Sequence, residues 1–222
     1  MECIWSLETD APMHAHPVRP DGCMDLLYSA AGALEVVGAM TAERRFDLGP
    51  KARTAGIRFR PGMAPAILHV PAGELTDRIL PLEQRDLADR LANAPSAADC
   101  RRILSASLKP PADAPDGVQR AIEALAGSHG GVNLEWLARQ AGMSERQFRR
   151  RCLEATGLAP KQLCRVLRFR RACTLGTGGL PWGLVAAEAG YFDQAHLIRD
   201  FREFTGNTPV SVFSNTGDGR SG

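Results

Sequence analysis

Hydrophobic side chains recur at helical spacing in the second half of the chain, and the clearest run begins at Leu134. Leu137 and Ala138 continue it three and four residues later, and the run stops at Gly142. A new helical run starts directly afterwards, at Ser144. Two short helices separated by so few residues are typical of a helix-turn-helix. The pattern therefore predicts this motif at the start of residues 134–172.

The second of these predicted helices has a start signal and two different faces. Ser144 and Gln147 form a capping-box pattern, in which each side chain satisfies a free N–H group of the first turn. Phe148 and Cys152 fall on one face. The other face carries arginines at helical spacing, namely Arg146, Arg149 and Arg150. A helix of this kind suits the DNA major groove, where arginine binds guanine or phosphate; a solvated face on an ordinary helix is the alternative.

The same pattern returns about 49 residues later. Residues 181–191 match the first helix and its turn, and residues 193–201 match the second helix. In this register Asp193 takes the place of Ser144 as the capping residue. The repeat predicts a second helix-turn-helix. A duplicated basic helix also argues against a pure interaction module that binds no DNA.

Two further helices are predicted around the first motif. Residues 118–130 have apolar positions at helical spacing and fit a supporting helix. Residues 163–175 fit a longer connecting helix with apolar positions at Leu163, Val166 and Leu167. Its remaining positions include three arginines that are expected on the outside, Arg165, Arg168 and Arg171.

The first 71 residues show short β-like runs instead of helical spacing. The runs are separated by Gly and Pro, and they are CIWSL, MDLLYSA, ALEVVGA, RRFDL and AGIRFR. This pattern predicts a small sheet or partial barrel. Ile57 and Phe59 alternate with Arg58 and Arg60, so the two arginines are expected on a solvent face.

Helical spacing returns after residue 71, and a proline-rich stretch then divides the chain. Helices are predicted in GELTDRI, LPLEQRDLADRLANA and SAADCRRILSASLK, the last with a start signal at Ser96. Residues 109–117 are rich in proline and lack periodicity, which fits a linker. We therefore expect an α+β protein of two domains: a small β-rich domain with helices at 1–108 and an all-α domain at 118–213. Residues 214–222 are predicted to be a disordered tail.

Charge is concentrated in the predicted DNA-binding half. The whole chain has a net charge of +2, but residues 139–171 hold ten Lys or Arg against two acids, a local net charge of +8. Residues 1–112 have a net charge of −1. A polyanionic partner is therefore expected only for the C-terminal half.

Cysteine usage and the start of the chain indicate a cytoplasmic protein. The six cysteines form no C-x-x-C pair, and the first ten residues have neither the basic nor the apolar segment of a signal peptide. No apolar run approaches the roughly 20 residues needed to cross a bilayer. We expect no membrane partner.

Four segments within residues 118–213 form a recognisable set: AGMSERQFRRR, TGLAPKQL, AGYFDQAHLIRDF and FTGNTP. Together they resemble the double helix-turn-helix domain of AraC/XylS-type transcription regulators. The resemblance implies seven helices and two reading helices joined by a long one. It also implies that both enter successive major-groove segments about 34 Å apart. It further implies a sequence-specific regulator that is not an enzyme, and that binds RNA polymerase if it is an activator.

Carried over by position, the resemblance assigns DNA contacts to both reading helices. The residues are Arg146, Arg149 and Arg150 in the first, and Gln194, His196 and Arg199 in the second. Gln194 suits an adenine edge. For Arg150 and Arg199 two alternatives stand equally: a contact to a base, or a phosphate contact or support of the helix itself. His196 either binds a base or joins a surface network, and Cys152, where the family usually has an aromatic residue, is expected in the core.

The N-terminal half resembles the short sensor domain of some regulators of this class. Residues 20–26 and 56–62 carry that similarity. It implies a truncated, cupin-like barrel that binds a small-molecule effector or forms a homodimer. The effector, the operator and the direction of regulation are not written in the sequence.

A metal site in this half is an alternative that the sequence disfavours. His14 and His16 would point the same way from a strand, with Cys23 or His69 as a third ligand. Pro17 interrupts that strand, and no glutamate follows at the spacing of a cupin site. We therefore expect no metal and no other cofactor.

A cysteine-based DNA repair or alkyl-transfer protein is the enzyme alternative. Some regulators of this class accept a methyl group on a zinc-bound cysteine, which requires four clustered cysteines. Here Cys3, Cys23 and Cys100 are far apart in the N-terminal half. Cys23 as a redox or alkylation sensor is a weaker form of the same idea.

Overall fold

A computed structural model describes residues 1–29, 31–108 and 115–214. Within these residues the first half contains seven strands and four helices, and the second half contains seven helices. This is the α+β architecture predicted from the sequence, with the β-rich part first. Most of the predicted linker and tail lie outside the described residues, so the domain boundaries stay a prediction.

The strands form two antiparallel sheets. They are β1 (Cys3–Glu8), β2 (Met13–Val18), β3 (Met24–Tyr28), β4 (Leu34–Val37), β5 (Arg44–Leu48), β6 (Arg53–Phe59) and β7 (Ile79–Pro81). The larger sheet has the order β1-β6-β3-β4-β7, and the smaller one pairs β2 with β5. All five β-like runs of the sequence contain a strand. Strands β2 and β7 were not among those runs.

The larger sheet buries one face and holds a charged cluster on the other. Ile57 and Phe59 are fully buried, as their alternation predicts. The expectation that Arg58 faces solvent is wrong, because its guanidinium donates to Asp25 at 3.1 Å and forms an ion pair with Asp21 at 3.1 Å. Burial raises the pKa of the Asp25 carboxyl, and Arg58 opposes that rise.

The helices of the first half pack on and beside this sheet. They are α1 (Ala64–Leu68), α2 (Ala72–Leu75), α3 (Arg85–Ala92) and α4 (Ala97–Ser107). Ser96 caps α4 by accepting a hydrogen bond from the Asp99 amide at 3.2 Å, as predicted. The helix predicted in GELTDRI is shorter than expected, because the chain leaves α2 and joins the sheet as β7. For the same reason α3 begins only at Arg85.

The second half is all-helical. Its helices are α5 (Gly117–Gly127), α6 (Leu134–Gln140), α7 (Glu145–Thr156), α8 (Pro160–Thr177), α9 (Trp182–Glu188), α10 (Gln194–Thr205) and α11 (Pro209–Ser214). Leu163, Val166 and Leu167 of α8 are buried, as predicted. In the described residues, α8 is the element that contacts both α7 and α10. No helix among these residues is long and apolar enough to cross a membrane.

The two halves share one hydrophobic core. Buried side chains from the sheet and from the helices on both sides of residues 109–114 form a single contiguous cluster. Gly22 lies in the left-handed region at φ +80°, and a Cβ there would stand 3.1 Å from a Leu163 methyl group of α8. The β-rich part is therefore packed directly against the helical part.

Candidate nucleic-acid interface

The first helix-turn-helix consists of α6 and α7. Gly142 occupies the left-handed region in the turn, at φ +68°. The capping box predicted at Ser144 is present: its Oγ accepts from the Gln147 amide at 3.3 Å, and Gln147 Oε1 accepts from the Ser144 amide at 2.9 Å. These bonds satisfy free N–H groups of the first turn and set the start of α7 at Glu145.

The two faces of α7 are divided as the sequence predicts. Phe148 and Cys152 are buried in the core. Arg146 and Arg149 are exposed and make no hydrogen bond or ion pair with another described residue. Arg150, also exposed, bonds to Glu154 one turn later at 3.1 Å. Such an exposed pair is worth little, so a phosphate can replace the carboxylate at small cost.

A shallow groove of about 440 Å³ lies between α7 and the start of α8. Three cations line it, namely Arg146, Arg149 and Lys161. Lys161 was not among the candidates predicted from the sequence. The signal that points to it is its place in the first turn of α8, directly after Pro160, since free N–H groups and a lysine there favour an anion.

The second helix-turn-helix consists of α9 and α10. Asp193 caps α10 by accepting from the His196 amide at 2.7 Å, as predicted. Gln194 and Arg199 are exposed, without a partner among the described residues. His196 is half-buried, and its ring meets the edge of the Tyr191 ring at 5.1 Å. It therefore offers less free surface than the other two candidates.

Two arginines expected on the outside of α8 instead contact the second helix-turn-helix unit. Arg165 donates to Asp200 at 2.8 Å and to Glu203 at 2.8 Å. The hydrogen bond from Arg165 to Glu203 lowers the pKa of the Glu203 carboxyl. Arg168 is half-buried, with its guanidinium 5.7 Å from the centre of the Tyr191 ring. The expectation is wrong because the partners of these two arginines lie 23 to 38 positions later in the chain.

Phe192 is an exposed aromatic residue at the start of the second reading helix. It directly precedes the cap of α10, and 93% of its surface is exposed. The equivalent residue of the first unit, Met143, packs against the core. An apolar residue before a helix cap usually packs on the first turn of that helix. The sequence pattern therefore suggests burial, and only the tertiary structure shows that this side chain is free.

The histidine pair of the N-terminal half is not arranged as a metal site. The positive φ of Ala15 (+51°) and a register shift between Met13 and His16 interrupt the regular strand that the argument requires. His14 is exposed, with Nδ1 3.7 Å from Asp47. No group of three potential metal ligands occurs among the residues that the structure describes.

Cys23 has the environment of an inert thiol. It is buried, and its polar neighbours are Glu2, directly before β1, and Arg170 of α8. Burial raises the pKa of the thiol, and the carboxylates of Glu2 and Asp21 raise it further. Because alkyl transfer and redox sensing need a thiolate, this environment speaks against both roles for Cys23.

Comparisons with known proteins agree with this geometry at the level of domain families. Residues 137–215 match a family described as a helix-turn-helix domain, and residues 1–81 match a domain of unknown function, DUF6597. No curated protein matches the chain.

Three solved structures illustrate what the fold is similar to. The DNA-binding domain of AdpA in complex with a target DNA has 28% identity and a TM-score of 0.45, covering 48% of this chain and 97% of its own. A DNA-binding transcriptional dual regulator from Escherichia coli K-12 has 23% identity and a TM-score of 0.40, covering 47% and 96%. ToxT from Vibrio cholerae O395 has 12% identity and a TM-score of 0.48, covering 96% and 97%.

Proposed function

We propose that this protein, whose residues 137–215 match a helix-turn-helix family, is a sequence-specific transcription regulator of the AraC type that reads a bipartite DNA site. One observation carries the proposal. Two side-chain-capped helices, 49 residues apart in the sequence, both present exposed polar and basic side chains and both pack on α8. Such a pair can occupy two successive major-groove segments.

The candidate residues divide into base readers and phosphate contacts. Arg149 and Gln194 are free and suit the edges of guanine and adenine, respectively. Arg146 and Arg199 are equally free and serve a base or a phosphate. The remaining candidates are assigned to phosphate or to weaker base contacts, and they are Arg150, Lys161 and His196. Phe192 is assigned an apolar contact with a thymine methyl group, because its side chain is exposed beside the start of α10.

The N-terminal domain is assigned a regulatory role. Because it shares one core with the DNA-binding half, a small-molecule effector or a homodimer contact there can change how the reading helices are held. The protein acts by binding, not by catalysis, in the cytoplasm, and it recruits RNA polymerase if it is an activator. The alkyl-transfer alternative has no support from the buried Cys23 thiol.

The proposal is tested by recovering genomic fragments with the full-length protein and footprinting them at two salt concentrations. We expect two protected patches about one helical turn apart on one face of the DNA. Equal affinity for the recovered fragments and for random DNA would contradict the proposal.

Substitutions then assign the contacts. Arg149→Ala and Gln194→Ala should each lose about 1–3 kcal/mol of discrimination between the operator and mismatched sites. Lys161→Ala should weaken all DNA alike and make the salt dependence shallower. Arg101 is an exposed arginine in α4, so Arg101→Ala is the matched control. It should change neither the discrimination between sites nor the salt dependence.

A further inference from the structure

The C-terminal ends of both reading helices receive a hydrogen bond from the N-terminal half. Thr76 Oγ1 donates to the carbonyl of Gly157, the residue that caps the end of α7, at 2.6 Å. The backbone amide of Glu43 donates to the carbonyl of Phe204, in the last turn of α10, at 2.6 Å. The last carbonyls of a helix have no partner within the helix. The two bonds therefore anchor helix ends that would otherwise bond only to solvent.

Asp77 connects the two anchoring points. It follows Thr76 in the chain, and its carboxylate accepts from the Thr41 amide at 2.7 Å and from the Thr41 hydroxyl at 2.6 Å. Its own amide donates to the Ala39 carbonyl at 3.0 Å, and its carbonyl accepts from Arg44. Asp77 lies in the left-handed region at φ +57°. The carboxylate, amide and carbonyl of Asp77 are thus all hydrogen-bonded to residues 39–44, which makes this link stiff.

The Glu43 end of the link is held equally firmly. Its carboxylate is 5% exposed and is bound by Arg19 at 3.1 Å and Arg45 at 2.9 Å. The Arg19 guanidinium also lies 5.7 Å from the centre of the Phe213 ring, in α11. This position on the second unit is therefore fixed by a backbone hydrogen bond and by a neighbouring cation.

The fit at the α7 end leaves no free space. A Cβ on Gly157 would come within 2.8 Å of the Ala72 carbonyl oxygen and of Thr76 Oγ1. The end of α7 thus lies in close contact with α2. Together, residues 72–77 and 41–43 form what we term the helix-end bridge, which runs from one reading helix to the other through the N-terminal half.

We propose that Thr76, Asp77 and Thr41 are positioning residues, which set the distance and angle between the two reading helices through the helix-end bridge. The proposal rests on the proposed function. The two units are also joined by α8, the helix that packs against both α7 and α10. Because the helix-end bridge adds a connection from the N-terminal half, the two reading helices are held at a fixed distance and angle. Such a fixed pair binds DNA half-sites at one separation and loses affinity at other separations.

The DNA test measures affinity against half-site spacing. Bipartite sites are built with the footprinted separation and with that separation changed by about one or two base pairs. The wild type should lose affinity by about tenfold off its optimum. Thr76→Val removes one anchoring bond, and Asp77→Gly removes the carboxylate while tolerating the positive φ. Both should reduce that loss to about threefold or less, with affinity for an isolated half-site unchanged.

Two further variants separate positioning from simple loss of stability. Asp77→Asn keeps a donor and an acceptor for Thr41 and tolerates a positive φ, so it should keep the wild-type spacing profile. Thr54→Val changes a buried threonine of the sheet that is outside the bridge and should do the same. A wild-type profile in both Thr76→Val and Asp77→Gly, or an equal loss at every spacing and at the half-site, would overturn the proposal.

A second readout requires no DNA and so distinguishes failure of the bridge from failure of the proposed function. Spin labels are placed on exposed positions of α7 and α10, by Glu154→Cys and Arg202→Cys in a Cys3→Ser background. Electron–electron dipolar spectroscopy should give a narrow distance distribution in the wild type and a broader one in Asp77→Gly. If the distance distributions of the wild type and Asp77→Gly have equal widths, the proposed role of the helix-end bridge is wrong, whatever the DNA results are. A broadened distribution without specific DNA binding would support the bridge and reject only the proposed function.

Discussion

The two helix-turn-helix units have the same local design but different supports. Each begins its reading helix with a side-chain cap and ends it with a glycine in the left-handed region. The second unit is packed around aromatic rings that contact one another, contributed by Phe169, Trp182, Phe201, Phe204 and Phe213. The first unit has Cys152 at the position of Phe201, and its reading helix packs instead against α1, α2 and α5. One unit is thus held largely by its own side chains and the other largely by its neighbours.

The difference extends to the charged pairs. In the second unit Arg165 binds the buried carboxylate of Asp200. The residue equivalent to Asp200 in the first unit is Arg151, which forms an exposed pair with Asp116, just before α5, at 2.9 Å. Helices α1 and α2 of the N-terminal half pack on α7, the first reading helix. We infer that events in that half move α7 more readily than α10.

The largest effect should come from the aromatic cluster. Phe201→Ala removes a fully buried ring that lies 4.9 Å from Phe169 and 5.6 Å from Trp182, and should cost about 3–5 kcal/mol of unfolding free energy. Cys152→Ala at the equivalent position removes one sulfur atom and should cost about 1 kcal/mol. Urea denaturation of both variants measures the difference. Equal losses would show that the two units do not differ in internal support.

The next largest effect should distinguish the two terminal glycines. Gly157→Ala and Gly206→Ala both place a side chain in the left-handed region, at φ +75° and +72° respectively, which costs roughly 1 kcal/mol. At Gly206 the space is open, whereas at Gly157 the new methyl group meets α2. We expect about 1 kcal/mol for Gly206→Ala and about 2–4 kcal/mol for Gly157→Ala. Thermal denaturation compares them, and a larger loss at Gly206 would contradict the packing of α7 on α2.

A smaller effect is expected from the charged pairs. Arg165→Met leaves Asp200 buried without its partner and should cost roughly 2–3 kcal/mol. Arg151→Met breaks only the exposed pair with Asp116 and should cost less than about 1 kcal/mol. Chemical denaturation at pH 7 is the measurement.

Arg165 also pairs with Glu203, and this second pair makes stability depend on pH. Arg165 holds the pKa of Glu203 below its ordinary value of 4.5. A lowered folded-state pKa contributes stability that is fully present above about pH 4.5 and is lost as the pH falls through the folded value. The wild type should therefore lose more stability than Arg165→Met on acidification below that pH. Parallel pH profiles would show that the pair does not contribute.

The smallest effect concerns DNA and not folding. Phe192→Ala should leave the unfolding free energy unchanged, because the side chain is almost fully exposed, yet reduce operator affinity about three- to tenfold. Met143→Ala at the equivalent position removes a packed side chain and should lower stability instead. Fluorescence anisotropy on the footprinted operator, beside denaturation, separates the two. Unchanged affinity in Phe192→Ala would remove this residue from the interface.

The helix starts, the repeat and the division of α7 into two faces were predictable from the sequence. Ser96, Ser144 and Asp193 cap helices as expected, because a cap joins residues only three positions apart. Periodicity likewise depends on neighbours along one helix. These local rules predicted the helix-turn-helix pair and placed the arginines of α7 on the surface. The DNA contacts of the six candidates stay a prediction.

The features that the sequence did not predict depend on contacts between distant parts of the chain. Strand β7 exists because β4 offers a free edge. Arg58 joins a charged cluster because β6 pairs with β3, which carries Asp25, and because Asp21 lies in the segment just before β3. Arg165 meets its carboxylates only after α10 has packed on α8.

The amino-acid sequence by itself thus determined the two helix-turn-helix segments, where their second helices begin and which face of α7 is buried. Only the tertiary structure decided how those helices are supported. Thr76 and Gly157 are 81 residues apart, and no periodicity or cap links them. Their contact arises because two halves with incomplete cores bury their apolar surfaces against each other, which then brings the polar groups at the helix ends within hydrogen-bonding distance.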